Sequence, residues 1–159
     1  MKRETFFLKF VVVLMGLPVL ALCIFLLPGL SEYVAEITPE FSYMKYLFLI
    51  GMYATAIVFF FALYQTLKLL NYIDKSKAFS QVSVEALKNI KYSAITISIL
   101  YIAELPIIYL IADADDAPGV MLIGLIITFA SMVIAVFAAV LQKLLKNAID
   151  IKSENDLTV

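Results

Sequence analysis

Four long stretches of this chain carry almost no charge, and that constrains its fold more than any other feature. Phe10 to Leu27, Tyr46 to Leu67 and Val120 to Gln142 contain no Asp, Glu, Lys or Arg, and Tyr92 to Ala112 contains a single acid, Glu104. Each run is close to the roughly 20 apolar residues that a helix needs to cross a bilayer. Bare backbone polar groups cannot be left in hydrocarbon, so these stretches must be helices. The prediction is an all-α integral membrane protein forming a single membrane domain over residues 1–159, with transmembrane helices at about 10–27, 46–67, 92–112 and 120–142. A loop at 68–91 and a tail at 143–159 complete it. Composition excludes the other classes: 64% of the 159 residues are hydrophobic and 16% charged. A soluble domain of this size could not hide so much apolar surface, and a disordered chain would be rich in charge instead.

Orientation follows from the cations, which favour the cytoplasmic side of short loops. Lys2, Arg3 and Lys9 precede the first helix. Lys68, Lys75, Lys77, Lys88 and Lys91 lie in and around the central loop, and Lys143, Lys146 and Lys152 lie in the tail. Only Lys45 falls on the other side, with Glu32, Glu36, Glu40, Asp113, Asp115 and Asp116. Both termini and the central loop are therefore expected in the cytoplasm of a multi-pass cell-membrane protein. The basic start followed by an apolar run also fits a signal peptide, and Leu20-Ala21-Leu22-Cys23 resembles a lipoprotein cleavage box. The residue before such a cysteine is normally small and here is Leu22, and the apolar run continues to Leu27, so a retained helix is expected.

The helices are expected to pair as two antiparallel hairpins. One turns through Pro28-Gly29 and an outer loop carrying Tyr33, Phe41 and Tyr43 near the interface. The other turns through Asp113 to Gly119. A faint L-x-N-x-I-D repeat, Leu69 to Asp74 and Leu145 to Asp150, follows each hairpin's second helix, and chance accounts for it as well as duplication does.

The loop between the second and third helices has its own signals. Ser80 has the hydroxyl of a helix N-cap, and Phe79 and Val84 stand at the spacing of a hydrophobic staple. Val84, Leu87, Lys88 and Lys91 place apolar and basic groups together on a short amphipathic helix. Such a helix suits an anionic membrane surface leading into the third segment, or a docking surface for a cytoplasmic partner. Ala78-Phe79-Ser80, with Val84 and then Leu87-Lys88-Asn89-Ile90, resembles the "proline-phenylalanine-serine, then amphipathic helix" loop of a bacterial family. The tail Glu154-Asn155-Asp156-Leu157-Thr158-Val159 is similar to that family's ending. The family is domain of unknown function 2975, small four-helix membrane proteins common in Firmicutes. This chain departs from it in having Ala78 where Pro is usual. The resemblance implies no enzymatic activity. Because members are often encoded beside a small helix-turn-helix regulator, it also implies a transcription regulator as partner of the loop and of Leu157 in the tail.

The residues themselves supply little chemistry. The chain has no His, so the usual general base and metal ligand are missing, and its one Cys can form neither an internal disulfide nor a thiolate cluster. No phosphate loop or metalloprotease motif is present, and with net charge −1 no basic excess points to direct nucleic-acid binding. Neither enzyme, cofactor nor metal is expected; the acids at Asp113, Asp115 and Asp116 read as solvated charge rather than a cation site. Small residues do recur at helical spacing: Gly51 with Thr55, Gly124 with Thr128, and Ser131, Ala135 and Ala139. They let helices approach closely, either within the bundle or as a seam between copies in a homo-oligomer.

The sharpest site is Glu104. Counting about 1.5 Å per residue from Ala112 puts it roughly 12 Å inside the membrane boundary, where a carboxylate is costly and normally faces the bundle. Thr128, and Tyr53 or Thr55, reach similar depth, Tyr101 lies one turn earlier, and Pro106 frees the carbonyl of Ile102. No cation reaches this depth, so a protonated Glu104, hydrogen-bonded to Tyr or Thr hydroxyls, is the expected form. It can fix helix register, serve as a proton, cation or small-ligand site, or face lipid. Two functions remain in view: a non-enzymatic regulator or tether working through the loop and tail, and a small transporter or channel component built around Glu104.

Overall fold

A computed structural model describes residues 2–41 and 43–157, apart from the side chain of Phe41. The Phe41 side chain and Thr158-Val159 of the tail, singled out above, lie outside these described residues. Five α-helices, and no strand among the described residues, make up the chain: α1 (Lys2–Ala21), α2 (Leu27–Ile37), α3 (Met44–Asp74), α4 (Gln81–Ala114) and α5 (Pro118–Leu157). A π-turn over Leu22–Leu26 joins α1 and α2 into one 36-residue helix, so four helices are long and apolar enough to cross a membrane.

The first helix departs from expectation, since Pro28-Gly29 does not turn the chain. The backbone stays helical to Ile37, and the turn comes at Thr38 and a short 3₁₀ segment over Pro39–Phe41. The π-turn explains how proline is accommodated. The N–H of Leu27 bonds the carbonyl of Leu22, five residues back rather than four. In that pattern the carbonyl of Cys23 would wait for the N–H of residue 28, and Pro28 has none. The hydroxyl of Tyr53 on α3 donates to that carbonyl instead, at 2.8 Å. A free backbone acceptor at membrane depth is thus satisfied by a neighbouring helix.

The linker helix also differs. It is no separate surface element but the first turns of α4, because no Gly or Pro interrupts residues 81–105. Ser80 does hold the N-cap position in extended conformation, but its hydroxyl donates to the carbonyl of Lys77 instead of capping the helix. Val84 is buried while Phe79 stays 57% exposed, so the staple does not cover the Phe79 ring. Two reversals set the helix pairs. Ser76 and Asp116, both polar, take the left-handed conformation that ends a helix (φ 59° and 50°).

Packing is densest between α4 and α5, then α3 and α4, with α1 resting mainly on α3. Residue numbers rise along one helix as they fall along its neighbour. Ser98 meets Thr128 and Ile108 meets Gly124, while Thr5 meets Asp74 and Gly16 meets Leu63. Adjacent helices are therefore antiparallel. With about 1.5 Å per residue, α3, α4 and α5 measure roughly 46, 51 and 60 Å, well over the about 30 Å of a hydrocarbon core. The excess lies at the end that carries Lys9, Lys75, Lys88 and Lys143, called here the basic end.

Candidate functional site

Glu104 sits on α4 with only 6% of its surface exposed, and its side chain points into the bundle toward α3. What receives it is a glycine. A Cβ placed on Gly51 would collide with Oε1 and Cδ of Glu104 and stand 3.0 Å from its Cγ. The carboxyl therefore occupies the space that any other residue at position 51 would fill. Oε2 is buried and has no hydrogen-bond partner among the described residues.

The hydroxyls expected to serve Glu104 are turned elsewhere, which corrects that part of the reading. Thr55 donates to the carbonyl of Gly51 at 2.9 Å, and Thr128 to that of Gly124 at 2.8 Å. For a threonine inside an apolar helix, the carbonyl one turn back is always within reach. Tyr53 is engaged with Cys23, and the Tyr101 hydroxyl lies 3.8 Å from the sulfur of Met52. Glu104, Tyr101, Gly51 and Met52 are thus brought together at the α3–α4 contact. Thr128 instead belongs to the α4–α5 contact, where its carbonyl accepts from Ser98 at 3.1 Å. Ser98 is six residues, about 9 Å, along α4 from Glu104.

A family model described as "Protein of unknown function (DUF2975)" matches residues 29–159, which take in α3, α4, α5 and the whole Glu104 neighbourhood. The chain belongs to this family. It is also 66% identical over 158 residues to "Uncharacterized membrane protein YoaS" of Bacillus subtilis (strain 168), a match spanning 99% of each chain. No solved structure matches. With its four apolar helices, this DUF2975 chain is a multi-pass membrane protein.

The second group of predicted residues, in the loop and tail of this DUF2975 chain, divides by exposure. Val84 and Leu87 are buried within the molecule, so they are not on its surface for a partner to reach. Phe79, Lys88 and Leu157 are exposed, and Ser80 and Lys91 are half-buried. The amphipathic pattern was real, but its apolar face is already covered by the rest of the chain. In the small-residue stripe, Ser131 and Ala135 are buried and Ala139 is half-buried on the side of α5 that faces α4, and Ala135 and Ala139 line a groove open to the outside.

One polar cluster escaped the sequence reading. At the basic end, Lys9 forms an ion pair with Asp74 at 2.7 Å and donates to Asn71 at 2.9 Å, while the Thr5 hydroxyl also donates to Asp74. The Lys9 hydrogen bond, joined by that of Thr5, holds the Asp74 carboxyl below its usual range. Asn71 and Asp74 belong to the L-x-N-x-I-D motif, which was the available signal. At the opposite end Tyr33 on α2 donates to Asp115 in the α4–α5 turn, which raises the phenol above its usual value.

Proposed function

We propose that this membrane protein is a non-enzymatic regulator or tether, lying in the cell membrane with both termini and the α3–α4 loop in the cytoplasm, where it holds a partner such as a helix-turn-helix transcription factor. The observation that carries this reading is the far end of α5. Beyond Gln142 the helix continues for 15 residues, about 22 Å, past the stretch that lipid can cover. There Ile151 is 66% and Leu157 83% exposed. Apolar side chains outside both bilayer and core gain from burial against another protein. Exposed Phe79 and Lys88 begin the neighbouring helix at the same end, and 11 of the 12 cations cluster there, as expected of a cytoplasmic face. Affinity capture from native membranes tests the proposal, with the full chain compared against variants lacking residues 153–159 or carrying Ile151→Asp. The expected result is a cytoplasmic protein lost from both variants; identical partner sets would sink the idea.

A second reading, a small transporter or channel component, draws on the buried and unpartnered Oε2 of Glu104. Glu104→Gln distinguishes it, because glutamine keeps the size and hydrogen-bonding capacity but cannot release a proton. Loss of function at normal abundance and melting temperature favours the transporter. Full function with Gln leaves Glu104 a packing residue.

A further inference from the structure

A groove of about 280 Å³ runs between α4 and α5 toward the basic end. Its floor is low because the residues there are small: Ser98, Ala135 and Ala139. The one polar side chain among them, Ser98, is fully engaged with the carbonyl of Thr128, so the floor presents an apolar surface. Ile95 and Ile99 wall one side and Met132 and Val136 the other, all of them exposed. Along α4 the groove extends from Lys91 to Ile99, about 12 Å. It lies within the uncharged spans, so the medium facing it is lipid rather than water.

The mouth of the groove is cationic. Lys91 lines it, with its ammonium held 4.6 Å from the centre of the Tyr92 ring. Lys88 lies one turn before Lys91 on α4, and Lys143 one turn beyond Ala139 on α5, both exposed. Among the described residues none of the three is paired with a carboxylate: the two ion pairs are Lys9–Asp74 and Lys45–Glu32. An apolar furrow at acyl-chain depth that opens at headgroup level beneath unpaired lysines matches one amphiphile in both halves. We infer that the groove seats an acyl chain of an anionic phospholipid from the leaflet at the basic end, with the headgroup phosphate on Lys91, Lys88 and Lys143. Basic pockets between transmembrane helices hold anionic headgroups on the same grounds. The inference does not depend on any cytoplasmic partner.

The test is native mass spectrometry of the full chain released from bilayers with equal phosphatidylglycerol and phosphatidylcholine of the same acyl chains. The expected result is one retained phosphatidylglycerol per chain in preference to phosphatidylcholine. Replacing Lys88, Lys91 and Lys143 by Gln should lower that preference about fivefold for each lysine removed. These charge changes leave the packing alone, so they read out binding even if a groove-filling variant fails to fold. Ala139→Phe should abolish retention of both lipids, with helicity and melting checked in parallel. Equal retention of the two lipids, an unchanged preference in the triple variant, or a lipid-free dimer with the groove covered by a second copy would each overturn the inference.

Discussion

The helix pair α4–α5 and the first helix α1 solve the same problem, adhesion inside lipid, in opposite ways. In a bilayer, apolar side chains gain nothing by leaving lipid for protein, so helices must hold together by close packing or by polar contacts. The α4–α5 pair uses closeness: Ser98, Gly124, Ser131 and Ala135 bring two backbones together over several turns, and Ser98 bonds the carbonyl of Thr128. Helix α1 has few small residues facing its neighbour, and its side chains are largely exposed, Phe6 at 72% and Phe7 at 65% among them. It is fastened at points instead. Thr5 and Lys9 meet Asp74 and Asn71 at one end, and Tyr53 reaches the π-turn further along. A distributed contact resists local damage but tolerates no added bulk. A pointwise contact tolerates bulk but fails when a fastener is cut. Substitutions that add bulk and substitutions that cut fasteners should therefore sort the two regions.

The largest effect is expected where bulk meets the buried acid. Gly51→Ala forces the Glu104 carboxyl from its place between α3 and α4, and overpacking of this kind costs about 1–3 kcal/mol. Thermal or detergent unfolding measures it. Because the clash is with the side chain and not the backbone of Glu104, Gly51→Ala should be nearly neutral in a Glu104→Ala background. An equal loss in both backgrounds would show that the glycine is needed for another reason.

A matched pair comes next. A Cβ at Gly124 would stand 3.2 Å from Cδ1 of Ile108 and 3.4 Å from Leu105, and one at Gly16 would stand 3.2 Å from Cδ1 of Leu63. The first contact is the same at both sites, but the helices are held differently. Gly124→Ala should cost about 1 kcal/mol, because α5 cannot withdraw from α4. Gly16→Ala should fall near zero, because α1 can move aside. Gly29→Ala and Gly119→Ala meet nothing within 4 Å and serve as controls. Equal losses at positions 16 and 124 would erase the distinction between the two regions.

These sites also show what could be read without coordinates. That the chain crosses the membrane in four helices was plain from the uncharged runs, and the lone acid Glu104 in such a run marked the place to look. Its neighbour was not plain. Depth can be counted along a helix, but which residue faces which depends on helix rotation, and counting therefore selected Thr55, Thr128 and Tyr53 where Gly51 was the true contact. The threonines were misjudged because each hydroxyl has an acceptor in its own preceding turn. Pro28 was read as a turn because proline and glycine punctuate chains in water. Here a π-turn and the Tyr53 hydroxyl, 25 residues on, absorb the lost hydrogen bond. The Val84–Leu87 face was recognisable as apolar, but a pattern alone does not say whether the partner is another protein or the rest of the same chain.

The smallest effect concerns the fastener itself, and its sign is fixed by the Asp74 carboxyl. Lys9 and Thr5 lower its pKa below the unfolded value of about 3.9, so they favour the ionised, folded form. The stabilisation this gives is present at neutral pH and above the unfolded value. It disappears as pH falls through the lower value of the folded state. Acidification should then loosen the end of α1 while leaving α4–α5 intact. A spin-label pair on residues 6 and 72 should report a broadened distance distribution below about pH 4, and a pair on residues 99 and 136 should not. Asp74→Asn should show the loosened distribution already at neutral pH and no further change on acidification, because the titrating group is gone. If instead both pairs broaden together as pH falls, the first helix is not held by separate fasteners, and the molecule responds to acid as one unit.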